Sequence, residues 1–262
     1  MSTFGSPSPS ASLPDDVFDV RSIGFTPIKG TRHQSQSGAE FDEHGPVGDR
    51  RYCLVDARNQ QVLRTVQNPS LVAVLATLYG AELEVRLPDG RSVCAVAEVS
   101  GERLTCDYWG RPVAAELIKG PHDELLSSWL GKPVRLAQVP RGDVVYGDPI
   151  AIVGTASIRD LGERLRHPGL LAEAARFRAT VLVETDTPYI EETWSGHEIS
   201  LGVGMRVRIG EAIPRCAVID LDPLTGVRGP RVLKTLAEYR ADNDKGEPFF
   251  GVFAQVVSAS QS

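Results

Sequence analysis

Between residues 71 and 109 the chain is cut into short apolar runs, Leu71 to Leu78, Leu83 to Leu87, Val93 to Val96 and Leu104 to Trp109, by Tyr79-Gly80, Asp89-Gly90 and Ser100-Gly101. Strands of this length joined by glycine turns predict an antiparallel sheet or barrel. Leu71 to Leu78 reads as a strand despite its helix-favouring Ala and Leu, because Gly80 and the paired runs follow it. Pro121-His122-Asp123-Glu124 then opens a helix with proline and acids in its first turn, Leu125, Leu126, Trp129 and Leu130 form its buried face, and Gly131 ends it. Val134 to Val139 is a further strand. With 262 residues, 42% of them hydrophobic, the chain can bury one large or two modest β-rich cores, and Pro140-Arg141-Gly142-Asp143 is the candidate boundary.

Residues 1–14, made largely of Ser, Pro, Gly and Ala, cannot bury enough apolar surface to offset chain entropy and are expected to be a disordered leader. Val17, Phe18, Val20, Ile23 and Phe25 begin a strand that stops at Thr26-Pro27, which leaves Lys29 projecting beyond its end. The polar stretch 31–48 holds His33 and His44 without a companion metal motif. Gly48-Asp49-Arg50-Arg51 then places two cations at the mouth of the strand Tyr52-Cys53-Leu54-Val55, an arrangement that suits a phosphate or an ordinary salt bridge.

Beyond residue 140, Ile150 to Val153 is a buried strand and Ser157 can cap a helix running to about Leu165. A second helix, Leu170 to Ala175, leads into Arg176-Phe177-Arg178, whose arginines at alternate positions face one side, and into the strand Thr180 to Val183. Strands at Ile199 to Leu201, Met205 to Ile209 and Phe249 to Val257 and a helix from about Val232 to Tyr239 complete the second half. Gly202-Val203-Gly204 lacks the third glycine and the helix of a phosphate-binding loop.

The formal charge of -6 argues against a nucleic-acid binder, which needs a basic surface, so any anionic ligand must be met by local arginines. Cys53, Cys94, Cys106 and Cys216 have no zinc-ligand spacing, and the first three sit in apolar or alternating runs that predict buried thiols in a reducing compartment. No stretch reaches membrane-spanning length, and the expectation is a cytoplasmic protein.

Cys216 is the most distinctive residue for chemistry. It follows Arg215 and leads through the alternating Ala217-Val218-Ile219-Asp220-Leu221 into Asp222-Pro223-Leu224-Thr225-Gly226, so it is expected to open a strand that ends in a turn. A thiol there can be a soft metal ligand, a nucleophile or a small packed residue.

In order along the chain, Pro27-Ile28-Lys29-Gly30, Gly48-Asp49-Arg50-Arg51-Tyr52, Gln67-Asn68-Pro69, Thr155-Ala156-Ser157-Ile158, Arg176-Phe177-Arg178, Glu191-Glu192-Thr193-Trp194, Arg215-Cys216 with the Asp222-to-Gly226 turn, and Phe250-Gly251 resemble the MOSC family with its N-terminal β-barrel partner domain. That group includes the mitochondrial amidoxime-reducing component and the C-terminal domain of molybdenum cofactor sulfurase. The resemblance implies a β-rich α+β fold, with a MOSC-associated β-barrel-like domain over 15–140, a MOSC-type β-barrel over 141–262 and a few short helices. It also implies a pterin-bound molybdenum (molybdopterin) between the two halves, with Cys216 as the thiolate ligand of the metal. Lys29, Arg50 and Arg178 would engage the cofactor's phosphate and pterin, with Thr155, Ser157 and Arg215 nearby. Relatives carry arginine, proline and asparagine after the phenylalanine, and here Thr180 stands in the asparagine's place.

The function these matches imply is a molybdenum-dependent reductase of N-oxygenated small molecules, supplied with electrons by a separate protein because the chain has no flavin, haem or iron–sulfur motif. Asp220 would assist proton delivery, although a carboxylate beside a turn also serves as a cap. The alternatives are a sulfur-transfer or thiol enzyme using Cys216 without molybdenum, and a carrier module that binds the pterin without turnover. Substrate choice would lie in loop 31–47 and around residues 110–120.

Overall fold

The computed structural model describes residues 17–202 and 204–259, so the expected leader over 1–14 lies outside the described residues. Strands dominate. One mixed sheet of eight strands runs, in spatial order, Val17–Phe18, Glu198–Leu201, Met205–Pro214, Phe249–Ala259, Ile150–Gly154, Val181–Val183, Val20–Phe25 and Gln34–Gln36. A four-stranded antiparallel sheet orders Glu98–Tyr108, Arg111–Lys119, Val134–Gln138 and Tyr52–Asp56, and a three-stranded meander joins Leu75–Tyr79, Glu82–Arg86 and Ser92–Val96. The glycine-turn pattern therefore forms the antiparallel strands it predicts. Among the described residues these sheets stay open at their edges and do not close into barrels through ladder hydrogen bonds.

The division expected after residue 140 does not separate the sheets. Val20–Phe25 and Gln34–Gln36 belong to the large sheet, where Ile23 pairs with Val181, while the stretch between them crosses to the other half, the Arg32 amide donating to Val74 O at 2.9 Å. Gly24 permits this exchange: its amide donates to Thr180 O at 2.9 Å, and a Cβ there would stand 2.8 Å from Ala179 O. At the crossing, Ile28 bridges to Tyr52 and the Lys29 amide donates to Tyr52 O at 2.8 Å. Lys29 is thus fixed where the chain passes between the halves.

Three local expectations change. Pro69 at the first helical position starts a 3-10 turn, Pro69–Ala73, so the expected strand from Leu71 begins only at Leu75. The alternation after Cys216 forms a 3-10 turn, Ala217–Asp220, rather than a strand. Period-two apolarity describes a short buried turn equally well, and Ile219 alone faces the core there. Cys94 is exposed because its strand, Ser92–Val96, forms the edge of the meander, whereas Cys53 and Cys106 are buried as expected. Burial raises the Cys53 thiol to about 12 and the Cys106 thiol to about 11.

The apolar layer beneath the 214–226 segment stacks Phe177 on Phe250, with ring centroids 4.8 Å apart, among Ile158, Leu161, Leu170, Ile219, Val232 and Leu236. Phe250 is fully buried, so Phe250→Ala is expected to cost about 3–5 kcal/mol and to lower the chemical-denaturation midpoint with little change in slope. No helix among the described residues is long and apolar enough to cross a membrane.

Candidate functional site

Cys216 is exposed and sits in extended backbone (φ -119°, ψ 177°) as the residue before the 3-10 turn. Both halves clamp its segment. From one side the buried Arg176 guanidinium donates Nη1 to Ile219 O at 2.8 Å and Leu221 O at 3.1 Å, and is paired with Glu173. From the other, Arg32 Nη2 reaches both Ala73 O and Leu224 O at 2.9 Å. Asp222 closes the following turn by accepting from the Thr225 amide and hydroxyl, each at 2.8 Å, and Gly226 (φ 71°) lies too close to Pro69 O for a side chain to fit. The thiol is therefore carried on a braced loop.

Arg215 does not point outward with the thiol. It is buried, donating Nε to Phe250 O and Nη1 to Phe177 O, both at 2.7 Å, while Nη2 is buried without a partner. Burial lowers this guanidinium to about 10, against the pull of Cys216, Glu191 and Glu192. An unpartnered buried donor beside Gly251, whose added Cβ would stand 3.2 Å from it, marks a place where an acceptor would be welcome.

Lys29, Arg50 and Arg178 do come together. Lys29 is 9% exposed, with its ammonium 3.4 Å from Leu63 O and 4.9 Å from the centre of the Tyr108 ring. Burial first, then Arg178, Arg50 and Arg64, bring Lys29 down to about 8, although Cys53 works in the other direction. Arg178 takes the left-handed conformation (φ 52°) and donates Nη1 to Thr31 O at 2.9 Å. Burial and then Arg50 lower it to about 10, with Asp49 opposing them. Arg50 (φ 44°) is held by Asp49, whose other oxygen accepts from the Thr26 amide at 3.0 Å. One carboxylate faces a group of mutually repelling cations. Such an arrangement is relieved by a bound anion.

Other expected site residues are occupied structurally. Thr155 Oγ1 donates to Glu184 at 2.8 Å and accepts from the Thr185 amide at 3.1 Å, and Thr180 Oγ1 accepts from the Ala151 amide at 3.1 Å within the sheet. Ser157 is not the helix cap, since the helix Thr155–Arg164 follows Gly154; its hydroxyl lies 2.8 Å from Glu191 and accepts from the Tyr189 amide at 2.8 Å. Asp220 Oδ1 accepts from the Leu233 amide at 2.8 Å, in the first turn of the helix Val232–Ala237. His33 donates Nε2 to Ala179 O at 2.9 Å, and burial lowers it to about 3. Among the described residues no cluster of His, Cys, Asp or Glu could hold a metal by itself.

Glu191, fully buried, accepts from the Gly154 amide at 2.9 Å and from Ser157, tying the 190–194 turn to the start of the 155–164 helix. Glu191→Ala would leave those donors without an acceptor and is expected to cost about 2–4 kcal/mol, read as a lowered unfolding midpoint. Arg32, Arg64, Arg176 and Glu191 are roles the sequence did not assign. Arg176 and Glu191 lie within Arg176-Phe177-Arg178 and Glu191-Glu192-Thr193-Trp194, yet nothing local in those stretches distinguishes a brace from a ligand contact.

A crevice of about 10 Å³, room for a single water, lies between the halves, lined by His33, Val72, Arg176, Arg178, Val218 and Leu221. A larger concavity, about 500 Å³, lies elsewhere, along Arg103 to Thr105, Ala114 to Glu116 and Gln138 to Pro140. The donors near Cys216 fit a pterin-bound metal in charge and in offering one soft ligand. Admitting its rings requires the crevice side chains to move apart.

The chain is similar to several known proteins. It is 24% identical to molybdenum cofactor sulfurase of Caenorhabditis briggsae, over 94% of this chain and 35% of that protein. The corresponding values are 27%, 87% and 32% for the Caenorhabditis elegans sulfurase, and 28%, 89% and 37% for that of Aspergillus oryzae. The chain thus spans about a third of the length of these relatives. A solved Bordetella bronchiseptica protein aligns with 44% of this chain and 97% of its own at 16% identity, with a TM-score of 0.32 too low to carry the fold. Residues 17–133 match the family described as the MOSC N-terminal beta barrel domain.

Proposed function

We propose that this chain binds the molybdenum cofactor and acts as an enzyme on chemistry centred at the Cys216 sulfur. The observation that carries the reading is the convergence of Lys29, Arg50 and Arg178 around one carboxylate, Asp49, which leaves a positive site for a phosphate-bearing ligand. Those three side chains would hold the anionic end. Arg215, with its unpartnered Nη2, would supply one further donor, and Cys216 a soft sulfur. The bound cofactor would contribute a redox-active metal centre.

Two chemistries are open to that sulfur. As a metal ligand it would serve a reductase of N-oxygenated small molecules that draws electrons from a separate donor protein. As a sulfur carrier it would hold a persulfide, and the printed name of the relatives, molybdenum cofactor sulfurase, favours this second reading. Intact-mass analysis separates them. Sulfur carriage predicts a gain of one sulfur, about 32 Da, on the wild type and none on Cys216→Ser. Metal ligation predicts no adduct, together with molybdenum that is lost in Cys216→Ser. Wild-type protein from a cofactor-competent host with neither molybdenum nor adduct would contradict both.

A further inference from the structure

The cation cluster continues outward to a face that the reading above does not use. Tyr108 is the hinge between them: Lys29 approaches its ring on the inner side, and Arg111 Cζ lies 5.2 Å from the same ring centre. Next in sequence, Trp109 and Gly110 form the two-residue turn between strands Glu98–Tyr108 and Arg111–Lys119, with φ values of 57° and 77°. Positive φ at both positions favours Asn-Gly and disfavours a bulky residue. The indole held in that disfavoured conformation is 55% exposed.

Neighbours complete the face. Tyr146, 51% exposed, has its ring centre 6.3 Å from that of Trp109, and Arg64 Cζ stacks 4.4 Å from the indole centre. Arg111 is steadied by donating to Val145 O at 3.1 Å, and Arg64 by donating to Gln67 at 3.2 Å. Among the described residues neither forms an ion pair, nor do Lys29 and Arg178, although acids outnumber Lys and Arg 34 to 28 in the chain. Two exposed aromatics and two unpaired guanidinium groups thus stand beside the buried cations.

We propose that Trp109, Tyr146, Arg64 and Arg111 form a binding site for a planar aromatic anion, with its ring against the two aromatics and its acidic group met by the two arginines. The proposal rests on the cofactor reading for the inner cations, which take the cofactor's phosphate, and adds a class of substrate, an aromatic acid, for the outer face. It does not require Cys216 or a metal.

Calorimetric titration of the full, molybdenum-free chain tests it with 2-naphthoate, pterin-6-carboxylate, 2-naphthamide and cyclohexanecarboxylate. The two aromatic acids are expected to bind at least tenfold more tightly than the neutral amide and the saturated acid. Arg64→Gln and Arg111→Gln should each weaken them at least tenfold, Trp109→Ala should do the same, and Trp109→Tyr should largely restore binding. Cys216→Ser should bind as the wild type does, so failure of the thiol chemistry would leave this result intact. Equal binding of acid and amide, wild-type affinity in the arginine variants, or no binding of either aromatic acid would overturn the proposal. In protein loaded with molybdenum cofactor, 2-naphthoate is expected to bind as it does to the molybdenum-free chain, and loss of its binding there would overturn the assignment of this face to a substrate.

Discussion

Cys216→Ser is expected to leave the protein folded and to abolish its chemistry. The residue is exposed, and the loop carrying it is braced by Arg32 and Arg176 through the carbonyls of neighbouring residues, none of which involve the sulfur. Serine keeps the shape, so the change in stability should stay within about 0.5 kcal/mol. A hydroxyl, however, neither carries a sulfur nor offers a soft thiolate to a metal. Turnover, persulfide or metal signal should fall to that of a protein-free control while the unfolding midpoint holds. Retained activity in the serine variant would move the reacting group away from Cys216 altogether.

The second large effect has opposite signs for stability and binding. Lys29 is buried with a long contact to Leu63 O and repelled by Arg178, Arg50 and Arg64, so it is lowered from 10.5 to about 8. Between those values the unfolded chain holds a proton that the native lysine has released, and native stability therefore rises with pH across that interval. Below about 8 the penalty for charging Lys29 is fully present. Lys29→Met removes it, and the ligand-free variant is expected to be about 1–3 kcal/mol more stable than the wild type at pH 7, a difference that shrinks toward pH 10. Pyrophosphate should raise the unfolding midpoint of the wild type and scarcely affect that of Lys29→Met, with affinity at least tenfold lower in the variant. A destabilised Lys29→Met at pH 7 that binds pyrophosphate normally would show that the lysine is structural.

Much of the architecture could be read from the chain because its punctuation is local. Glycine turns, the proline and acids at residues 121 to 124, and Gly131 in the left-handed conformation act within a few residues, and the elements they delimit lie where the pattern puts them. Pairing between distant segments could not be read this way. Nothing in Val20–Phe25 says that it joins Val181–Val183 rather than Tyr52–Asp56, because both partners are equally apolar strands. The same limit governed the site. The resemblance brings out Lys29, Arg50 and Arg178, and the fold sets these three cations near one another. Thr155, Ser157, Thr180 and Asp220 were hydroxyls and a carboxylate at turns, and such groups satisfy nearby backbone amides at least as readily as a ligand does.

The brace around Cys216 also explains why Arg176 and Arg178 differ despite their near-identity in sequence. Arg176 is drawn inward by Glu173 and the carbonyls of Ile219 and Leu221, whereas Arg178, two residues on and in the left-handed conformation, turns to Thr31 beside Lys29 and Arg50. One arginine positions the thiol loop. The other adds charge to the anion site.

The most direct test is the molybdenum content of purified protein made in a cofactor-competent host, measured for wild type, Lys29→Met and Cys216→Ser. A cofactor held at its anionic end by the Lys29 cluster predicts molybdenum near stoichiometric with the wild-type chain and strongly depleted in Lys29→Met. Wild-type protein without molybdenum, or Lys29→Met carrying as much as the wild type, would contradict it.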